Sequence, residues 1–284
     1  MKLRILLFTA ACILGLQTLI QAETVKIGVF PSNEPAKLYQ VMEYFGDYLS
    51  EKTGDDISVI VSHDYTELGL RLREGSIDIA WLNTLTYVRL KSVIPGIRYL
   101  ATYMERNERT GEIIPYYRSN IVSLKSSGFS SLEDIRDRLF AFTDPSSTSG
   151  YAYPNMMLKQ RGIDPESYFR KVFYLRQHDR VVEALRHGSI AAGAISDGTL
   201  SAAIRRYGDI FTVLAESDPI PLDAIVSTEV FPSVKIKAYR DALLSMPGDH
   251  QFLRAMKETL GWKAAGFAVL DDAFYDSVRE ALKQ

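Results

Sequence analysis

The feature of this sequence that most constrains its fold is an alternation of strand-like and helix-like segments. Short apolar runs alternate with longer segments that carry apolar residues at helical spacing. This order is typical of an α/β fold in which helices cover a sheet. The pattern predicts strands at 24–30, 57–61, 77–82, 119–124, 138–143, 172–176 and 190–195, and helices at 36–52, 66–74, 131–136, 155–161 and 179–187.

The chain also resembles itself at a fixed spacing. LREGSI (residues 72–77) is followed 113 residues later by LRHGSI (residues 185–190). VFPS (residues 29–32) matches TDPS (residues 143–146) at nearly the same spacing. Helix–glycine–strand junctions often look alike, but two matches in one register favour a true repeat. Because about 260 residues is also large for a single core, we expect two similar α/β lobes.

The repeat spacing pairs Tyr65 with His178. Each residue precedes the equivalent helix of its lobe, at the carboxyl end of a strand. Ligands of open α/β sheets bind at this edge. Two such lobes facing each other across a hinge would form a cleft that can close on a small molecule.

The first 22 residues have the pattern of a secretory signal peptide. Lys2 and Arg4 precede an apolar run that ends at Gln21-Ala22. A lipoprotein signal around Cys12 is less favoured, because the usual leucine is missing. Cys12 is the only cysteine, so the mature chain would have no disulfide and no thiolate metal site. We therefore expect a bacterial periplasmic protein.

The charge balance limits the classes of partner. Removal of residues 1–22 would leave 31 basic residues against 35 acidic ones, which argues against a nucleic-acid binder. Serines, histidine and aspartates could form a hydrolase triad, but the sequence has no Gly-x-Ser-x-Gly elbow and no His-rich metal spacing. We therefore expect no enzyme activity, no metal site and no cofactor.

A serine-rich segment is the strongest candidate for a binding site. DPSSTSGY (residues 144–151) follows the predicted strand at 138–143 and precedes a helix that opens near 153–155. Hydroxyls and free backbone N–H groups at a helix N-terminus form an arrangement that binds anions. The alternative is an ordinary capping turn, since Ser, Thr and Asp are common N-cap residues.

These segments resemble the periplasmic substrate-binding proteins of phosphate, phosphite and phosphonate ABC transporters. The resemblance runs from about residue 25 to residue 262. It depends on DPSSTSGY with Pro154, on GSIDIAW (residues 75–81), and on His178-Asp179 before VEAL (residues 182–185). It implies a type II-like periplasmic binding protein, with two open α/β lobes joined by hinge strands. From the repeat and the alternating elements we expect residues 23–113 plus 215–284 in lobe one, 118–213 in lobe two, and hinge crossings near 114–118 and 213–221.

The resemblance also implies a set of ligand contacts. Hydroxyls, backbone N–H groups and an imidazole can surround the three oxygens of a phosphonate head with donors. Tyr116 adjoins one matched position and could replace the tyrosine there. The matched positions are Tyr65, Tyr117, Ser147, Thr148, Ser149, His178, Asp197 and Asp223.

The two acids leave the class of ligand open. Asp197 and Asp223 could pair with the ammonium of an aminoalkylphosphonate, or accept a P–OH hydrogen bond from phosphite or phosphate. Asp197, which precedes Gly198, could instead be a solvated turn acid. We favour a compact anion or a simple phosphonate. The expected function is capture of a small phosphorus oxyanion for the permease of an ABC importer, or alternatively for a membrane sensor kinase or cyclase.

Overall fold

The structure is a computed structural model that describes residues 24–108 and 110–282. The predicted signal peptide lies outside these residues. Within the described ranges, no helix is both long enough and apolar enough to cross a membrane.

The described residues form two α/β lobes. The strands are β1 Thr24–Val29, β2 Asp56–Val61, β3 Ile79–Leu82, β4 Arg98–Arg106, β5 Ile113–Ile114, β6 Tyr116–Tyr117, β7 Ser119–Leu124, β8 Leu139–Phe142, β9 Lys171–Tyr174, β10 Ala192–Ser196, β11 Phe211–Glu216, β12 Ile220–Pro221, β13 Ala224–Ser227 and β14 Ala264–Ala268. The helices are α1 Pro35–Thr53, α2 Tyr65–Arg73, α3 Thr84–Val93, α4 Tyr153–Gln160, α5 Pro165–Tyr168, α6 His178–Arg186, α7 Asp197–Tyr207, α8 Ser233–Leu244, α9 Gln251–Ala255 and α10 Asp276–Ala281.

Each lobe contains one mixed sheet, and the two sheets have a common core topology. Lobe one has the order β14-β4-β13-β3-β1-β2, with β5 paired to β4, and lobe two has the order β11-β7-β10-β8-β9. In lobe one, β1 lies parallel between β2 and β3, and β13 runs antiparallel to β3. In lobe two, β8 lies parallel between β9 and β10, and β7 runs antiparallel to β10. This shared topology is the structural basis of the sequence repeat.

The chain passes between the two sheets twice. It leaves the first sheet after β5 and enters the second at β7, and it returns between β11 and β13. The short strands β6 and β12 pair antiparallel at this passage, with Tyr117 opposite Ile220 and Tyr116 opposite Pro221. Bending at these two segments, and the exact lobe boundaries, stay predictions.

Helix α1 shows how the sequence pattern becomes packing in lobe one. It starts with Pro35, whose fixed φ suits the first helical position. It ends at Gly54, which adopts a left-handed φ of 77° that favours glycine. Its buried residues follow helical spacing and pack into the core of lobe one: Leu38, Val41, Met42, Phe45, Gly46, Tyr48 and Leu49.

One predicted helix is much shorter in the structure. The segment 131–136 forms only a 3₁₀ turn, Glu133–Ile135. The Asp134 carboxylate accepts hydrogen bonds from the backbone N–H groups of Ser130 and Ser131, at 2.9 and 3.0 Å. This local bonding stabilises a turn at the expense of a longer helix.

Candidate functional site

A small cavity lies between the two lobes. The volume open to the centres of water-sized molecules is about 40 Å³. Its lining residues come from both lobes and from β6, and none of these described residues is Lys or Arg. They include every residue that the sequence indicated: Tyr65, Tyr117, Ser147, Thr148, Ser149, His178, Asp197 and Asp223.

Several helices begin at this cavity. Tyr65, His178 and Asp197 are the first residues of α2, α6 and α7. Asn83 caps α3 by accepting a hydrogen bond from the backbone N–H of Thr86, at 3.2 Å. Because helix N-termini carry partial positive charge, their convergence favours an anion without a cationic side chain.

The serine-rich loop is both a capping turn and part of the cavity wall. The Ser147 hydroxyl accepts a hydrogen bond from the backbone N–H of Gly150, at 3.1 Å, and so caps the turn Thr148–Ala152 that leads into α4. A side chain at Gly150 would place its Cβ within 2.4 Å of Thr143 Cβ, so this close packing requires glycine. The capping interpretation of the loop is therefore correct for Ser147, and it does not exclude the anion site.

Thr148 connects the loop to lobe one. Its hydroxyl oxygen accepts hydrogen bonds from Asn83 Nδ2, at 3.2 Å, and from the backbone N–H of Leu85, at 3.0 Å. Asn83 Nδ2 also donates to the carbonyl of Ser146, at 2.8 Å. These bonds join the start of α3 to the loop across the interface between the lobes.

The surroundings of His178 fix its tautomer. Its Nδ1 accepts a hydrogen bond from the backbone N–H of Ser196, at 3.2 Å. The neutral ring therefore carries its proton on Nε2, which lies 3.5 Å from the Ser147 hydroxyl. Burial lowers the pKa of His178 to about 4, so the ring is neutral near pH 7 and presents Nε2–H as a donor.

The two tyrosines differ in their surroundings. The Tyr65 hydroxyl is buried and has no hydrogen-bond partner among the described residues. Such a group is costly unless a ligand or water satisfies it. Tyr117 is partly buried and lines the cavity, and burial raises the pKa of its hydroxyl well above the usual value. Tyr116 is exposed and packs on Phe274, so the adjacent tyrosine does not line the cavity.

The two predicted acids lie in different surroundings. Asp223 is buried and accepts a hydrogen bond from Trp81 Nε1 at 3.1 Å, and burial raises its pKa to about 7. Asp197 is partly buried, 3.7 Å from Lys263 Nζ, and burial raises its pKa as well.

A third acid, Glu105 on β4, lines the cavity although the sequence did not indicate it. Its side chain is buried and accepts a hydrogen bond from the Tyr103 hydroxyl at 3.1 Å. Burial raises the pKa of Glu105 to about 8. The available signal was a lone acid within a strand of largely apolar residues.

Two known proteins of similar sequence have names that describe import or binding of a phosphorus compound. The chain is 22% identical to "Phosphate-import protein PhnD" of Mycolicibacterium smegmatis, over 90% of this chain and 84% of that protein. It is 21% identical to "Probable ABC transporter phosphite binding protein PhnD1" of Prochlorococcus marinus, over 61% of this chain and 58% of that protein.

Solved structures show the same fold. A binding protein component of an ABC phosphonate transporter from Pseudomonas aeruginosa matches with a TM-score of 0.81 and 20% identity, over 92% of this chain and 86% of that one. PhnD1 of Prochlorococcus marinus in complex with methylphosphonate matches with a TM-score of 0.78 and 18% identity, over 92% and 97% of the two chains. These likenesses establish the fold as that of two-lobed periplasmic binding proteins.

The family is established by a match to nearly the whole described chain. Residues 27–275 match the model of a family described as "ABC transporter, phosphonate, periplasmic substrate-binding protein". The chain therefore belongs to the family of periplasmic substrate-binding proteins of phosphonate ABC transporters.

Proposed function

We propose that the protein holds a phosphonate, phosphite or related small phosphorus oxyanion in the cavity between its lobes and delivers it to the permease of an ABC importer. The observation that carries this proposal is a buried cavity rich in neutral hydrogen-bond donors and without Lys or Arg among its described lining residues. The proposed contacts are Tyr65, Tyr117, Ser147, Thr148, Ser149, His178, Asp197 and Asp223.

Neutral donors suit the phosphorus head group of such a ligand. Its oxygens accept hydrogen bonds in several directions, which hydroxyls, backbone N–H groups and an imidazole N–H can supply together. The Tyr65 hydroxyl supports this assignment, because it is buried without a partner in the described chain. Nε2–H of His178 adds a further donor from the other lobe. A ligand held by both lobes would stabilise the closed arrangement.

The same geometry supports a binding role over hydrolysis. In a hydrolase triad, the histidine nitrogen nearest the serine accepts the serine proton, and an acid orients the other nitrogen. Here Nε2, which faces Ser147, carries a proton, and Nδ1 faces the backbone N–H of Ser196. The Ser147 hydroxyl also accepts from the Gly150 N–H as a cap. We infer that His178 and Ser147 bind the ligand without reacting with it.

Calorimetric titration of the purified protein tests this function. Methylphosphonate, phosphite and phosphate are titrated, with acetate as a small anion that lacks phosphorus. We expect saturable binding of at least one phosphorus oxyanion and none of acetate. Failure of all three, together with failure of 2-aminoethylphosphonate, would refute the proposal. If a phosphorus oxyanion binds, co-purification of the protein with its membrane partner will distinguish a permease from a sensor kinase.

A further inference from the structure

The hydroxyl of Thr148 receives two hydrogen bonds from the opposite lobe. Its oxygen accepts one from Asn83 Nδ2, at 3.2 Å, and one from the backbone N–H of Leu85, at 3.0 Å. A hydroxyl oxygen can accept two hydrogen bonds and donate one. Because both acceptor positions are filled by lobe one, the proton of Thr148 has to point towards a third group.

The remaining direction of this hydroxyl is into the ligand cavity. Thr148 lines the cavity together with Tyr117. Burial raises the pKa of the Tyr117 hydroxyl, and the Thr148 hydroxyl opposes that rise, as a donor directed towards Tyr117 does. An oxyanion in the same cavity is a stronger acceptor than a neutral phenol, so it would take the Thr148 proton instead.

Asn83 also lines the cavity, but its amide has no proton left for a ligand. One Nδ2 proton is donated to the carbonyl of Ser146, at 2.8 Å, and the other to Thr148. Asn83 Oδ1 accepts from the backbone N–H of Thr86, at 3.2 Å, and this bond sets which end of the amide faces the loop. Asn83 can therefore supply a proton to an anion only indirectly, through the hydroxyl that it orients.

The N-terminus of α3 adds to the effect on Thr148. Leu85 is the second residue of α3, and N–H groups in the first turn of a helix have no acceptor within that helix. Thr148 supplies the acceptor from the opposite lobe. Since a helix N-terminus carries partial positive charge, this N–H polarises the Thr148 hydroxyl and makes it a stronger donor. The start of α3 is itself held by Thr84, whose hydroxyl donates to the carbonyl of Pro221 at 2.6 Å.

We propose that Asn83 is a positioning residue which, together with the Leu85 N–H, directs the proton of the Thr148 hydroxyl onto the ligand from across the lobe interface. This inference rests on the proposed function, since the acceptor of that proton is the phosphorus oxyanion. Lobe one thus acts on the ligand through a side chain of lobe two. Without Asn83, the hydroxyl would regain a free acceptor position and could rotate away from the ligand. The contributions of Asn83 and Thr148 to affinity should therefore depend on each other.

The test is a double-mutant cycle on these two residues, with affinities measured by calorimetry. The probe is whichever of methylphosphonate, phosphite and phosphate wild type binds most tightly. Asn83→Ser keeps a capping oxygen for α3 but removes the Nδ2 donors, and it should weaken binding about tenfold. Thr148→Val replaces the hydroxyl by a methyl group and should weaken binding about tenfold or more.

The double variant decides whether Asn83 acts through Thr148. It should bind within about threefold of Thr148→Val, because the oriented hydroxyl is already absent and only the bond to the Ser146 carbonyl is still lost. Thr148→Ser keeps the hydroxyl, so Asn83→Ser should have its full effect in that background. Urea unfolding without ligand checks that each variant is folded.

Asn33→Ser is the matched control. It removes another amide that joins the lobes, since Asn33 Nδ2 donates to Asp179 Oδ1 at 3.1 Å. Asn33 does not belong to the described lining of the cavity and makes no hydrogen bond to Thr148. Whatever its effect on affinity, that effect should be the same in wild type and in Thr148→Val.

Hydrogen exchange of the Leu85 amide gives a local measurement that a general loss of stability would not reproduce. With ligand at saturation, this amide should exchange at least about tenfold faster in Thr148→Val than in wild type, relative to the other amides of α3. Equal exchange, unchanged affinity in Asn83→Ser, or losses that multiply in the double variant would overturn the inference, and the proposed function would stand. If wild type binds none of the phosphorus oxyanions, the proposed function fails and this inference fails with it.

Discussion

Tyr65 and His178 occupy equivalent positions in the two lobes, and both side chains line the cavity. Each is the first residue of the helix that follows the edge strand of its sheet, β2 in lobe one and β9 in lobe two, and the two helices begin 113 residues apart along the chain. The hydroxyl of Tyr65 has no partner among the described residues, and the Nε2–H of His178 faces Ser147. Equivalent points of the repeat therefore direct two hydrogen-bond donors into one cavity.

Tyr65→Phe should weaken ligand binding and leave the fold intact. The substitution removes a hydroxyl that has no hydrogen bond in the described protein, so the free energy of unfolding without ligand should not fall. Loss of a hydrogen bond to a charged head group should cost about 1.5–3 kcal/mol of binding free energy. Calorimetry and urea unfolding measure the two quantities. A loss of stability with unchanged affinity would show that this hydroxyl does not contact the ligand.

The elements of the repeat were the most predictable part of the fold. The predicted helix 66–74 is Tyr65–Arg73, and the predicted strand 190–195 is Ala192–Ser196. Each has a clear apolar period and a glycine boundary, which are local signals. The place of β13 between β3 and β4 depends on pairing between distant parts of the chain, and no local pattern specifies that neighbour.

The cavity was predictable where a motif was present. The serine loop, Tyr65 and His178 belong to segments with a distinctive order of residues, and the structure places all three at the cavity. Asn83 and Glu105 lie at the cavity as well, but a single polar residue in an apolar segment carries no spacing signal. Their role arises from tertiary structure, because α3 and β4 come together with the second lobe only after folding.

Two alanine substitutions in the serine loop should both weaken ligand binding, but only one of them should lower the stability of the fold. Ser149→Ala should weaken binding by about 1.5–3 kcal/mol with little change in the unfolding free energy. Ser147→Ala should also destabilise the fold by about 1 kcal/mol, because its hydroxyl caps the turn that begins α4. Calorimetry measures the ligand affinity of both variants, and urea unfolding measures their free energies of unfolding. Unchanged affinity in both would place the ligand elsewhere.

His178 should make the unfolding free energy depend on pH. Its pKa is about 4 in the folded protein and about 6.5 in an unfolded chain, so the unfolded state binds more protons between these values. The contribution of His178 to the free energy of unfolding is therefore fully present above pH 6.5. It falls by roughly 3 kcal/mol as the pH is lowered towards 4. Urea unfolding at pH 6.5 and pH 4.5 should show roughly 2 kcal/mol of this loss.

The control for this prediction is His178→Gln, because other groups titrate in the same range. Glu105 and Asp223 have raised pKa values, so their contribution runs the other way and is lost as pH rises through about 8 and about 7. Both acids are present in wild type and in the variant, so the difference between the two profiles isolates His178. Parallel profiles between pH 4.5 and pH 6.5 would contradict a buried neutral imidazole.

Asp179 should control ligand affinity without contacting the ligand. It lies on α6 of lobe two, and its carboxylate accepts hydrogen bonds from lobe one: from Asn33 Nδ2 at 3.1 Å, and from the backbone N–H of Glu34 and Lys37 Nζ at 3.3 Å each. Asp179 does not line the ligand cavity. In a hinged protein with two lobes, contacts between the lobes would stabilise the closed arrangement over an open one, so we expect their loss to reduce the fraction of protein that is competent to hold the ligand.

Asp179→Ala should therefore lower the affinity for any ligand by about tenfold, the size expected for hydrogen bonds to a charged group. Asp209→Ala is the matched control, because Asp209 pairs with Lys125, a residue of the same lobe, on the exposed surface. Small-angle scattering should show that the variant needs more ligand than wild type to reach the same compact radius. If the variant and the control bind equally well, closure does not depend on this contact, and the affinity is set within the cavity alone.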